Sequence, residues 1–73
     1  MNTDVNMTIK EIESRKKDIE NELVTLFESN MKITDWDVPE ADGKRAADLI
    51  MEILQNKLLE IKQEIENGKY NYL

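Results

Sequence analysis

The chain has 73 residues, no cysteine, no histidine and a formal net charge of −6. This composition excludes disulfides, thiolate metal sites, the commonest zinc ligand and the commonest general base. A lone hydrophobic core is marginal at this length, and of the usual supports only a second subunit is left.

The segment Met1 to Thr8 has neither a basic region nor an apolar run, so no secretory signal is expected there. No apolar stretch approaches the ~20 residues of a membrane span. With 36% charged residues, the composition predicts a soluble, cytoplasmic protein that does not engage a membrane.

A first helix is predicted over about residues 8–30. Thr8 and Glu11 have the spacing of a capping box, and Met7 and Ile12 that of the accompanying hydrophobic staple. Val5, Ile9, Ile12, Ile19, Leu23 and Leu26 recur at heptad spacing, interrupted by Lys16. Asn30 suits a C-terminal cap. An acidic loop, 31–40, follows. A second helix is predicted over about residues 40–67, with Asp37 and Glu40 as a second capping box and Asp42 before Gly43 as a rival start. Its stripe is Ala47, Ile50, Leu54, Leu58, Ile61 and Ile65, and Gly68 supplies the C-terminal cap. The tail, 68–73, is apolar enough to dock.

These elements predict an all-α fold with one domain, 1–73: an antiparallel two-helix hairpin that dimerises into a four-helix bundle. In that hairpin Tyr70, Tyr72 and Leu73 would cover Val5 and Met7. At the other end Phe27, Ile33 and Trp36 would close over Ala46, Ala47 and Ile50, with Trp36 as an aromatic plug or a binding hot spot. Lys16, on the seam, would extend its stem past the core, pair with Glu60 or Glu64, or set the register of an oligomer.

The wheel of the second helix carries an extra stripe, Ala46, Leu49 and Ile53. Val24, Phe27 and Met31 widen the first helix at the same end. With Trp36, these residues are the candidate interface, for a second copy of the chain or for a different protein.

Asp35, Asp37, Glu40 and Asp42 form an acidic rim beside that interface. Read as a calcium loop from Asp35, they put Pro39, Glu40 and Ala46 where an acid, a glycine and a glutamate are needed, so capping and solvated charge explain them better. Ser14 and Ser29 have no histidine to activate them, and no phosphate-cradling glycine loop is present. No catalytic residue, cofactor or metal is expected. Arg15-Lys16-Lys17 and Lys44-Arg45 are interspersed with acids and read as surface pairs, so direct nucleic-acid binding is not expected. In size and charge the chain resembles the small acidic accessory proteins of phages and prophages. The sequence therefore predicts a homodimeric interaction module that binds and inhibits a cytoplasmic protein. A mimic of nucleic-acid charge and a structural subunit of a helical assembly are the alternatives.

Overall fold

The computed structural model of the protein describes residues 2–71, with side chains over 6–71. Among these residues there are three helices and no strand: α1 (Asn2–Ser14), α2 (Lys16–Asp37) and α3 (Gly43–Glu66).

The first helix begins earlier than its apparent capping box. Thr8 lies inside α1, so Thr8 with Glu11 does not start a helix, and Met7 with Ile12 does not staple one. Asn2 to Thr8 contains no glycine or proline to stop the helix extending backwards. The rod is interrupted at Arg15 instead. Its amide bonds the Ile12 carbonyl at 3.1 Å, an i→i−3 contact, while the Ser14 hydroxyl donates back to the Glu11 carbonyl at 2.7 Å. A serine that bonds back into the preceding turn competes with the helical ladder and bends it, which accounts for the break at this position.

The second helix also outlasts its expected stop. Asn30 is not a cap, because its side-chain amide donates to the Leu26 carbonyl at 2.8 Å within α2. Thr34 bonds back to the Asn30 carbonyl in the same way at 3.0 Å. The helix therefore runs on through Met31 to Asp37, most of what was expected to be loop. Pro39 ends it by disfavouring helical geometry in the residue before it. Val38 accordingly turns away at φ −135°, ψ 80°. Val38 to Ala41 then form a turn closed by the Ala41 amide on the Val38 carbonyl at 2.8 Å, with Pro39 at the position proline favours.

Asp42, the rival start, is the cap of α3. Its carboxylate accepts from the amides of Lys44 and Arg45 at 3.0 and 3.3 Å. Asp37 and Glu40 do not cap it, since Asp37 belongs to the last turn of α2. The other end of α3 follows expectation. Gly68 has φ +88°, its amide bonds the Ile65 carbonyl, and the Lys69 amide bonds the Glu64 carbonyl, each at 3.0 Å. This is the Schellman arrangement, which needs a residue able to adopt the left-handed conformation.

Packing between α2 and α3 is confined to one region, and a second half-buried group, Ile61, Glu64, Gly68 and Tyr70, lies at the end of α3 and in the tail. The half-buried residues of α2 are Phe27, Asn30, Met31 and Thr34, and those of the first half of α3 are Ala46, Ala47, Ile50 and Leu54. No described residue is buried outright. Ile9, Ile12, Ile19, Leu23 and Leu26 along α1 and α2, and Leu58 and Ile65 on α3, all remain exposed, so the continuous seam expected between the helices is not packed. Met7, expected to be covered by the tail, is 63% exposed. The side chain of Val5, and all of Tyr72 and Leu73, lie outside the described residues. The molecule measures 56 × 26 × 16 Å, with a radius of gyration of 16.9 Å. A compact domain of this length would have a radius of gyration of about 11 Å.

Candidate interaction surface

The residues expected to form one interface divide between two environments. Phe27, Met31 and Ala46 are half-buried where α2 meets α3. Val24, Trp36, Leu49 and Ile53 are exposed, Trp36 at 82% and Ile53 at 67%. Trp36 is therefore not a plug, and Ile33 does not close over α3 with it. The cause is the extension of α2. At about 100° per residue, Trp36 falls about 180° around the helix from Phe27. Met31 and Thr34, rather than Ile33 and Trp36, continue the Phe27 face toward α3.

A groove of 280 Å³ opens at this end, lined by Thr34, Val38, Ala41, Asp42, Arg45, Ala46, Leu49 and Ile50. Its floor is apolar, and Asp42 and Arg45 supply the charge at its edge. Sequence reasoning missed the contributions of Thr34 and Val38, because residues assigned to a loop have no helical face to count, and it missed Ala41, which was placed in the second helix and lies in the turn before it. A smaller hollow of 180 Å³, lined by Met31, Thr34, Asp35, Ala41, Gly43 and Ala46, adjoins the same contact. A wider, shallow polar hollow of 430 Å³ lies on α2 beside the Arg15 break, lined by Arg15, Asp18, Asn21, Glu22 and Thr25.

The acidic rim is also redistributed. Asp42 is occupied by capping, whereas Asp35 and Asp37 stand in the last turn of α2, which contains no basic residue. The carbonyl end of a helix carries partial negative charge, so acids there are destabilising by a few tenths of a kcal/mol to about 1 kcal/mol each. Neither was placed for the benefit of α2. Among the described residues, no group of three or more acidic side chains converges on a point that could hold a cation.

The ion pairs are local. Lys44 meets Asp48 at 2.6 Å, Lys57 meets Glu60 at 3.6 Å, and Lys69 meets Glu64 at 2.8 Å. Glu60 and Glu64 are thus both paired within their own end of the chain, and neither meets Lys16. The hydrogen bond from Lys69 holds the Glu64 carboxyl below its ordinary value of 4.5, and Glu64 in turn raises Lys69 above 10.5. Glu64 favours the clasp once it is ionised, and that contribution is lost as pH falls through its lowered pKa. Lys69 contributes while protonated, and loses its part as pH rises through its raised pKa. The clasp therefore spans the neutral range. The Lys69 ammonium also lies 5.7 Å from the centroid of the Tyr70 ring, within cation–π reach.

Among the described residues, no helix is long and apolar enough to cross a membrane. No family model, curated protein or solved structure matches the chain.

Proposed function

We propose that this protein is a non-enzymatic interaction module. It works as a helical hairpin paired with a second copy into a four-helix bundle, and its Trp36 end binds and occludes a basic face on another cytoplasmic protein. The observation that carries this reading is the combination at that end. An almost wholly exposed tryptophan stands beside Asp35 and Asp37 at a helix terminus where acids are unfavourable. Exposed aromatics anchor protein interfaces, and a rim of one charge steers an oppositely charged partner toward them. Leu49, on the apolar groove, and Ile53 are also exposed on α3.

The test is capture from a lysate of the native host. Tagged wild-type chain is compared with Trp36→Ala and with Asp35→Asn combined with Asp37→Asn, and the bound proteins are identified by mass spectrometry. A single basic protein held by the wild type, and lost from both variants while their helix content is unchanged, is the expected result. Equal capture by all three chains would show that the Trp36 end is not the binding surface.

The same two aspartates favour a second reading, in which the rim occupies the groove of a DNA- or RNA-binding protein as a mimic of phosphate charge. That reading requires capture to weaken steeply as salt is raised. It also requires capture to disappear when Asp35, Asp37, Glu40 and Asp42 are neutralised together.

A further inference from the structure

The bare stripes away from the Trp36 end are the larger feature. The chain exposes 6752 Å². A compact protein of 8.6 kDa would expose about 4,700 Å². The excess of about 2,000 Å² per chain would give two chains covering each other an interface of about 4,000 Å², within the range of obligate homodimers. Folding α3 back along α1 and α2 of its own chain would not cover it. Two helices share only one seam, and the exposed apolar residues of α3 stand on more than one flank: Ile53 and Leu59 lie about 120° either side of the Ala47 and Ile65 line.

Resting on the reading of the chain as a self-pairing module, we infer that the second copy supplies the missing cover by exchange. In this arrangement the distal half of α3 of each chain lies antiparallel along α1 and α2 of the other, with Lys16 facing the second copy's Glu64.

Length and charge both suit this arrangement. The exposed stripe from Met51 to Ile65 on α3 spans about 21 Å, and that from Ile9 to Leu26 about 26 Å, so the two match. Thr34 lies beside Ala46 where α2 meets α3. If α3 of the second copy keeps this register of the in-chain contact, equal steps bring Leu26 level with Leu54, Ile19 with Ile61 and Lys16 with Glu64; the same pairing made within one chain would leave the outer flanks of α3 bare. The rival pairing, α1 and α2 of one chain against the same rod of the other, centres the Ile9 to Leu26 stripe between Lys17 and Asp18, so each Lys16 faces an apolar Ile19 with no acid opposite it. An ionised lysine set among apolar side chains without a partner is disfavoured. Glu64 is bonded to Lys69 through Oε2, and a carboxylate has two oxygens with which to accept a second cation.

The test uses charge exchange between chains. Lys16→Glu alone and Glu64→Lys alone each put like charges together in a homodimer, whereas mixing the two variants restores both pairs, but only between chains. The expected results are a two-chain mass in sedimentation of the wild type and about tenfold enrichment of the mixed dimer over a statistical mixture. Because the protein has no cysteine, Ile19→Cys on one chain and Ile61→Cys on another should also form a single interchain disulfide. A one-chain mass at micromolar concentrations would overturn the proposal. So would a dimer with no mixed preference, or one in which Ile19→Cys links only to itself. Trp36→Ala distinguishes this proposal from the reading of the Trp36 end, since it should abolish partner capture and leave the two-chain mass unchanged.

Discussion

At the scale of single residues, Gly68 stands apart among the described residues as the one with a positive φ. Its φ of +88° is disfavoured for any residue with a Cβ, and a Cβ built there would stand 3.2 Å from the Asn71 side-chain amide. Gly68→Ala is expected to destabilise the end of α3 by about 1 kcal/mol. Helix content and the midpoint of urea unfolding would measure it, and an unchanged midpoint would show that the cap contributes nothing. This residue was legible in the sequence because glycine after a run of helix formers has one common meaning. Asp42 was legible for a similar reason, its side chain being suited to accept from the first free amides of a helix. Thr8 misled because its spacing to Glu11 is also ordinary within a helix, and a cap requires the backbone before it to be non-helical. Pattern alone does not report that.

At the scale of elements, the informative residue is Pro39. The sequence reading ended the first helix at Asn30, whereas α2 runs on to Asp37, two residues before Pro39. Asn30 tolerates a helical interior when its amide can bond back to the preceding turn, whereas the residue before a proline is strongly biased away from helix. The extension turns Trp36 away from α3 and carries Asp35 and Asp37 to the wrong end of a dipole. An expectation follows that is independent of any partner. Asp37→Asn should stabilise α2 by a few tenths of a kcal/mol to about 1 kcal/mol, an effect that shrinks as salt screens it. Thermal melts at low and high ionic strength would detect this, and a destabilised variant would mean that Asp37 has a structural partner after all. The all-helical character and α3 could be read directly, since both rest on long apolar periodicity. The break at Arg15 could not, because serine within a helix bends the chain only when its hydroxyl turns inward.

At the scale of the whole molecule, the absence of any buried described residue outweighs every local contact. Leu23 remains 46% exposed in the very stripe meant to form a core. Short isolated helices are marginal in water, and most helical stability comes from packing an apolar face. The fold should therefore gain stability from association, and its melting temperature should rise with protein concentration. Circular dichroism melts over a hundredfold range of dilution would show this. A melting temperature independent of dilution would require a core that the monomer does not display. The sequence foretold the shortage of cover but not its location. Apolar spacing marks which residues need burial, and says nothing about whether the same chain or another one buries them.

The uncovered stripes also bear on how such a protein would behave inside a cell. A chain that needs company to stay folded is cleared quickly when scarce and persists once crowded by its own kind, because proteases act on the open form and association depletes it. Its abundance would then respond to synthesis with a threshold rather than in proportion. A burst of expression could establish the protein where a trickle could not, and the timing would be set by the same leucines and isoleucines that leave the single chain without a core.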